Sequence, residues 1–277
     1  MIYTKISLLF CSEQKVPYFI GSQIRGAFGY SLKKTVCINP SYKCDNCFAS
    51  DRCLYYQFYE QKNVFHKYRL DFKLGSLCYD FSLYLFDKDT HQLPYIISAL
   101  HTMLTKVGLT KDRITYKKFD IYINDEKSLI DDKIELPKNT IKTFQIDNIC
   151  QDIILNLVTP LRMKKNNKYI RDDNIELKDI INSIYQRQMK ILGNGYRKFP
   201  FKIKGNIVLK EINYKELTRR SNRQKTTMNL GGIMGKIKIE NLNKECYEVL
   251  KVGELIGVGK STVFGLGKIE IEGLKCK

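Results

Sequence analysis

The hydrophobic and polar positions of the chain predict two successive sets of secondary-structure elements. In the first set, alternating positions indicate strands and four-residue spacings indicate helices. The clearest helix opens at Gly21 and places Ile24, Phe28, Leu32 and Val36 on one apolar face. The predicted elements are a strand at 2–10, this helix, strands at 68–74 and 77–86, a helix at 93–107 and a strand at 113–124.

The second half of the chain repeats the same order of elements. A stretch at 125–149, first acidic and then mixed, contains Pro137 and is typical of a linker or a peripheral hairpin. Two β-α-β-β-α-β sets predict an α+β protein with tandem ferredoxin-like domains and antiparallel sheets. We place these domains at 1–145 and 150–277. The second set has a strand at 152–158, a helix at 175–192, strands at 201–212 and 232–240, a short helix at 246–251 and a strand at 263–271.

The charge of the chain indicates a class of partner. The 277 residues carry a formal net charge of +18, and such an excess is costly through self-repulsion unless a polyanion neutralises it. We therefore expect nucleic acid, although a lysine-rich genome that places lysine on every surface would also produce this charge. No apolar run reaches the length of a membrane span, and the start of the chain alternates like a strand. We expect neither a membrane partner nor a signal peptide.

The connection between the strands at 201–212 and 232–240 is strongly basic and carries no acid at 219–227. Arginine forks match phosphate geometry, and neutral donors between them add further bonds. We expect this connection to contact phosphates, with a solvated, disordered loop as the alternative. Its candidate residues are Arg219, Arg220, Arg223 and Lys225. A second basic run has Arg162, Lys164, Lys165, Tyr169 and Arg171, and a solvated face explains that run equally well.

A glycine-rich segment at 253–268 precedes the last predicted strand. Its tail, Gly259-Lys260-Ser261, matches the end of the phosphate-loop pattern of nucleotide hydrolases, but Glu254 stands where the leading glycine belongs. Too few residues follow for the α/β domain of such an enzyme. We expect a loop whose backbone amides approach RNA, with a plain tight turn as the alternative. The candidate RNA-binding residues are Gly257, Gly259, Lys260, Ser261, Gly265, Gly267 and Lys268.

Four of the nine cysteines cluster at 37–53 and form a cysteine knuckle. Cys37, Cys44, Cys47 and Cys53 have the thiol count of a structural zinc site, although only the central pair has the usual tight spacing. Reduced thiols in a small apolar knuckle and a redox function are the alternatives. Without a secretory signal we expect no disulfide framework. We interpret the remaining cysteines as core or surface thiols: Cys11, Cys78, Cys150, Cys246 and Cys276.

Histidine, the usual acid or base at neutral pH, occurs three times. His91 follows two aspartates in a turn, and His101 borders the apolar stripe of a helix. His66 alone has cationic and phenolic neighbours, Lys67 and Tyr68, that suit acid–base chemistry at a phosphate. An ordinary loop histidine is the alternative.

Three stretches resemble the CRISPR-associated RAMP superfamily, and in particular the endoribonucleases that process precursor CRISPR RNA. The segment 21–29, GSQIRGAFG, is similar to the G-S-x-[LI]-[RK]-G-A start of a helix found widely in RAMP proteins. The segment 37–60 resembles the cysteine knuckle of one branch of the processing enzymes. The segments SNRQ at 221–224 and LGGIMG at 230–235, with the glycine-rich segment, resemble that branch's C-terminal signature.

The resemblance implies tandem ferredoxin-like domains that bind RNA and a reaction that needs no metal ion. The 2′-hydroxyl attacks the adjacent phosphate and leaves a 2′,3′-cyclic phosphate and a 5′-hydroxyl. Many members have a histidine base near the end of the first helix, where this chain has Lys33 and Lys34 instead. The candidate catalytic residues are therefore His66, Lys34 and Tyr68, and Arg25 of the first motif is a candidate RNA contact.

The resemblance leaves an alternative function and several partners in view. The alternative is a non-catalytic RAMP subunit that grips guide RNA in an effector complex, and a weaker one is a general zinc-braced RNA-binding protein. Two complete β-α-β-β-α-β sets favour the enzyme. The implied partners are CRISPR repeat RNA and effector-complex subunits, with no cofactor for catalysis. We expect a cytoplasmic monomer or homodimer.

Overall fold

A computed structural model of the protein describes residues 1–62, 64–131, 133–221 and 226–276, and the chain divides into two units. Unit 1 comprises Met1–Tyr68 and Phe72–Thr143, and unit 2 comprises Arg69–Asp71 and Phe144–Lys277. In the described part of the chain, no helix is both long enough and apolar enough to cross a membrane.

The sheet of the first half has the strand order of a ferredoxin-like fold, β2-β3-β1-β4, with the short β5 beside β4 and β8 beside β1. The connection between β4 and unit 2 forms short hairpins rather than an extended linker. The elements are β1 (Ile2–Leu9), α1 (Gly21–Val36), β2 (Tyr68–Phe72), β3 (Phe81–Phe86), α2 (Leu93–Thr102), β4 (Asp120–Ile123), β5 (Glu126–Lys127), β6 (Leu129–Ile130), β7 (Lys133–Ile134) and β8 (Lys142–Thr143).

The core of unit 1 lies between this sheet and the helices. Ile6 and Leu8 of β1 have no exposed surface, because alternate side chains of a strand point to the same face. Three of the four residues on the predicted apolar face of α1, Ile24, Phe28 and Leu32, have 0% exposure, and Val36 at the end of the helix is half-buried. The predicted amphipathic helix is therefore confirmed.

Unit 2 has the same architecture, with the strand order β12-β15-β9-β16. The central strand β9 buries Ile153, Leu155 and Leu157 at alternate positions, and helices α3 and α4 contact each other. The predicted tandem ferredoxin-like fold is thus confirmed. The elements are β9 (Cys150–Leu161), β10 (Lys164–Lys165), β11 (Lys168–Tyr169), α3 (Leu177–Ile191), β12 (Asn206–Lys215), β13 (Thr218–Ser221), β14 (Thr226–Asn229), β15 (Gly232–Glu240), α4 (Lys244–Ile256) and β16 (Ile269–Cys276).

Several element boundaries differ from the predicted ones, and two of these differences have a clear local cause. The strand predicted at 113–124 is shorter, because a tight turn joins Leu109 and Ile114 and has positive φ at Thr110 and Arg113. The last strand begins at Ile269 rather than at residue 263, since a short 3-10 turn occupies Thr262–Phe264.

The prediction that the scattered cysteines are isolated thiols is wrong for four of them. Cys11 is bonded to Cys78, and Cys150 is bonded to Cys276. The first pair flanks the antiparallel strands β1 and β3, and the second pair lies directly opposite in the register of β9 and β16. Strand pairing thus brings together cysteines that are 67 and 126 residues apart in sequence.

Candidate functional site

The glycine loop, residues 257–268, connects α4 to β16 in unit 2. Gly257, Gly259, Gly265 and Gly267 have φ values of 78°, 74°, 78° and 72°, a region that favours glycine. Neighbouring backbone also comes very close, because a Cβ atom on Gly267 would lie 1.9 Å from the carbonyl oxygen of Val258. The glycines are therefore required by the conformation of the loop itself.

Most amides of the glycine loop already donate hydrogen bonds within the chain. Val258 N–H donates to the carbonyl of Gly267 at 2.8 Å, and Gly267 N–H donates to that of Pro160 at 3.1 Å. Gly259 N–H donates to Ser183 Oγ at 3.2 Å. In this conformation the side chains of the loop, above all the exposed Lys260, are more available to a ligand than the amides of its glycines.

The glycine loop contacts the second basic run. Arg162 Nη1 donates to Ser261 Oγ at 3.2 Å, and the Arg162 carbonyl accepts from Lys260 N–H at 2.8 Å. The Arg162 guanidinium lies 4.3 Å from the centroid of the Tyr169 ring, and Lys164 Nζ lies 5.2 Å from the same centroid. These contacts give the second basic run a defined position beside the loop.

The basic connection reaches the same loop. It forms the hairpin of β13 and β14, and Arg219 stacks its guanidinium 4.4 Å from the ring centroid of Phe264. Arg220 lies opposite Thr227 in this hairpin, whereas Arg223 and Lys225 fall outside the described residues. Three stretches that are far apart in sequence thus meet in unit 2. We call the following set the basic surface: Arg162, Lys164, Tyr169, Arg219, Lys260, Ser261 and Phe264.

Lys268, at the end of the glycine loop, forms ion pairs within the chain, whereas the side chain of Lys260 is exposed. Its Nζ lies 3.0 Å from Asp71 and 3.2 Å from Glu270. Burial alone would lower the pKa of Lys268, but these two carboxylates outweigh it and hold the pKa above its ordinary value. Lys268 therefore remains charged, and two carboxylates already share that charge.

The candidate catalytic residues lie in unit 1. His66 is half-buried, and its ring centroid lies 5.7 Å from that of Tyr68. Tyr68 has no exposed surface and stacks on Phe58 at 4.4 Å between centroids. Lys34 is exposed near the C-terminal end of α1. Only His66 and Lys34 of the three could meet an RNA strand without rearrangement.

Arg25 lies against the aromatic segment, residues 55–59, which packs on α1. Its guanidinium lies 4.5 Å from the ring centroid of Tyr59, and Tyr59 Oη donates to the Arg25 carbonyl at 2.7 Å. Burial would lower the pKa of Arg25, but the nearby phenols of Tyr68 and Tyr59 raise it overall. Gly29 admits this packing, since its Cβ would lie 2.5 Å from Cε1 of Tyr59. The observed contacts of Arg25 brace the helix, and an RNA contact stays a prediction.

The four cysteines of the knuckle are half-buried thiols that form no disulfide. Among the residues that the structure describes, no three His, Cys, Asp or Glu side chains come close enough to hold a metal ion. Cys47 Sγ instead accepts a hydrogen bond from Asn39 Nδ2 at 3.5 Å. The arrangement does not fit the predicted zinc site, so zinc binding stays a prediction without structural support.

Sequence reasoning did not find two groups that position the cations. Phe264 lies in the glycine loop but was not connected with Arg219, because that contact depends on the hairpin of β13 and β14. Asp71 was missed as the partner of Lys268, because they are far apart in sequence. An aromatic residue within a glycine-rich segment is the one signal that could have indicated the first contact.

Comparison with known proteins gives matches over both halves. The family described as CRISPR-associated endoribonuclease Cas6 matches residues 155–269, and the AF_1859_N family, described as an N-terminal domain, matches residues 1–138. An uncharacterised protein of Archaeoglobus fulgidus is 24% identical over 292 positions and is covered, like this chain, to 95%.

Several solved structures have a similar fold. A Cas6 product complex matches with a TM-score of 0.57 and 14% identity over 99% of this chain and 100% of that chain. Cas6 of Thermus thermophilus matches with a TM-score of 0.52 and 12% identity over 98% of both chains. A Cas6-related protein from Pyrococcus furiosus matches with a TM-score of 0.50 and 13% identity over 98% of both. At these identities the structures show a shared fold.

Proposed function

We propose that the chain is a CRISPR Cas6/RAMP-type endoribonuclease that cuts precursor CRISPR RNA within the repeat. The observation that carries this proposal is the Cas6 match over residues 155–269, which includes the whole glycine loop and every residue of the basic surface. We also propose that the domains at 1–145 and 150–277 both contribute to the activity, one through the catalytic candidates and one through the basic surface.

The basic surface is suited to the RNA backbone. Arg162 and Arg219 present planar guanidinium groups that match phosphate oxygens, and Lys260 adds an exposed point charge. Tyr169 and Phe264 hold the two guanidiniums through cation–π contacts, which reduces the conformational freedom that would be lost on binding. This support of the cations favours a specific RNA contact over a merely solvated face.

The proposed reaction is an internal transfer at one phosphate, without a metal ion. The 2′-oxygen bonds to the adjacent phosphorus while the bond from that phosphorus to the 5′-oxygen breaks. A base removes the proton of the 2′-hydroxyl and an acid protonates the departing 5′-oxygen, so the products are a 2′,3′-cyclic phosphate and a 5′-hydroxyl. The RNA itself supplies the nucleophile, and the protein supplies proton transfer and charge.

We assign the general base to His66 and phosphate stabilisation to Lys34. Tyr68 is buried, so its proposed role is to orient the imidazole of His66 from the interior side rather than to contact RNA. A base that is already held in one orientation loses less conformational entropy when it reaches the reactive geometry. The phenol thus acts through His66, as a positioning residue.

The test is cleavage of repeat RNA from the same locus in the presence of EDTA, under single-turnover conditions. We expect a cut at one position, and no cut when the nucleotide before the scissile phosphate lacks its 2′-hydroxyl. His66→Ala should slow the reaction by roughly 100-fold or more. The matched control is His91→Ala, which removes an exposed histidine of the same unit and should cut at the wild-type rate.

Two results would contradict this proposal at different levels. If the protein binds repeat RNA tightly but never cuts it, the enzymatic function is wrong. If cleavage occurs and His66→Ala cuts as fast as His91→Ala, the function stands and the assignment of the base fails.

A further inference from the structure

Helix α1 has an exposed glycine that the packing of unit 1 does not require. A Cβ atom added to Gly26 would meet nothing within 4 Å. Gly29, three residues later, is different, because its Cβ would collide with the ring of Tyr59. Glycine inside a helix is less stable than alanine, since it loses more backbone entropy on folding. Gly26 thus destabilises the helix relative to alanine, and no atom in the described part of the chain requires a glycine there.

An exposed aromatic side chain follows Gly26 on the same face of the helix. Residues four apart are neighbours on a helix surface, so Tyr30 lies one turn after Gly26. The Tyr30 side chain is 57% exposed. Because Gly26 has no side chain, a ligand can lie along the helix surface there and reach the ring of Tyr30.

A cation is held beside this ring. The guanidinium of Arg113 lies 5.6 Å from the ring centroid of Tyr30, and Arg113 is itself exposed. Leu109 and Ile114 exchange two backbone hydrogen bonds of 2.8 Å around the turn that carries Arg113. Arg113 has a φ of 52°, a conformation that is uncommon for side chains other than glycine and asparagine.

The charge around this turn favours an anionic partner. The segment 109–119 contains four cations and a single acid, Asp112, and its charged side chains are exposed. The cations of this segment are Lys111, Arg113, Lys117 and Lys118. An exposed aromatic ring, a neighbouring guanidinium and a gap in the helix surface are the components with which proteins bind single-stranded nucleic acid.

We propose that Gly26, Tyr30 and Arg113 form a second RNA-binding surface, which takes single-stranded RNA. A base stacks on the exposed part of the Tyr30 ring, the strand passes over Gly26, and Arg113 meets a phosphate. The inference rests on the proposed RNA-processing function. It adds a contact in unit 1, one helical turn before the catalytic candidate Lys34, and it involves none of the residues of the basic surface.

The test measures binding of a fluorescein-labelled oligouridine of about 20 nucleotides by anisotropy, because stacking on an aromatic ring tolerates any base. Tyr30→Leu keeps an apolar side chain and should weaken binding by about tenfold. The matched control is Tyr95→Leu, which changes a tyrosine of α2 that is 55% exposed and should leave binding unchanged.

Gly26→Ala separates a binding role from a structural one. Alanine should stabilise the helix and raise Tm by about 2 °C, while its methyl group obstructs the strand and weakens binding by about threefold. Damage to the fold would change Tm in the opposite direction, so this combination supports a ligand above Gly26.

The possible failures are distinguishable. If wild-type protein cuts repeat RNA but Tyr30→Leu and Gly26→Ala bind oligouridine like wild type, this surface does not bind RNA, and a protein partner becomes the better explanation of its exposure. If wild-type protein neither binds oligouridine nor cuts repeat RNA, this inference and the proposed function both fail.

Discussion

We expect the described cations of the basic surface to determine how RNA affinity depends on salt. The variant combines Arg162→Gln, Arg219→Gln and Lys260→Gln. For single-stranded nucleic acid, each neutralised phosphate contributes about 0.7 to the slope of log affinity against log salt concentration. If each side chain neutralises one phosphate, their removal reduces the magnitude of the slope by about 2.

This difference in slope is large enough to measure. Between about 50 and 200 mM salt, a slope difference of about 2 changes the ratio of variant to wild-type Kd by roughly 20-fold. The variant should therefore be weakest relative to wild type at low salt. The assay is an anisotropy titration of labelled repeat RNA over a series of potassium chloride concentrations.

A second variant controls for net charge. Lys178, Lys238 and Lys244 of unit 2 each pair with a nearby glutamate, and their replacement by glutamine lowers the net charge by the same amount. We expect this control to keep most of the wild-type slope. Equal slopes in the two variants would mean that overall charge and not the basic surface attracts RNA. An unchanged slope in the first variant would mean that its three cations contact no phosphates.

Two further predictions concern stability. Replacing both Cys150 and Cys276 by serine should lower the free energy of unfolding by about 2–5 kcal/mol in urea, because the bridge closes a loop of 126 residues. A reducing agent should destabilise wild-type protein at least as much, since it also opens the bridge between Cys11 and Cys78; a variant as stable as oxidised wild type would contradict the bridge between Cys150 and Cys276. Burial, with a contribution from Asp87, raises the pKa of Asp89 to about 6 although Lys67 opposes it. The folded state therefore binds this proton more tightly than the unfolded chain, so stability is lost as the pH rises from about 4 to about 6. Asp89→Asn should raise the free energy of unfolding at pH 7 by about 1–3 kcal/mol and change it little at pH 4; an equal effect at both pH values would refute the titration.

The order of elements could be predicted from the sequence because it depends on local periodicity. The spacing of Ile24, Phe28 and Leu32 requires one buried helix face wherever the helix packs, and the structure buries it. The bridge between Cys150 and Cys276 could not be predicted in the same way. It depends on the register of β9 and β16, which the intervening elements determine. The local spacing of apolar residues therefore predicts the helices and strands. The contacts between these elements can be read only from the three-dimensional structure.

The candidate site shows the same division. Tyr68 was chosen for its chemistry, yet it alternates with Leu70 and Phe72 in a strand, and that alternation already indicated a buried ring. The position of Arg219 on Phe264 had no comparable signal, since it requires both the hairpin and the glycine loop to be in place. A choice made from residue chemistry alone therefore includes side chains, such as Tyr68, that are too buried to contact a ligand. It also misses cations, such as Arg219, that are held in place by an aromatic ring.

We expect the glycine loop to contact RNA through the side chains that it holds in place. Gly253, at the end of α4, admits the side chain of Ile184, which would lie 2.6 Å from a Cβ atom there. The later glycines adopt a backbone conformation that fixes Ser261 and Phe264, and these residues support Arg162 and Arg219. A substitution at a loop glycine would therefore disturb folding and binding together. The cations, which can be replaced without straining the backbone, are the residues at which RNA binding can be tested separately from folding.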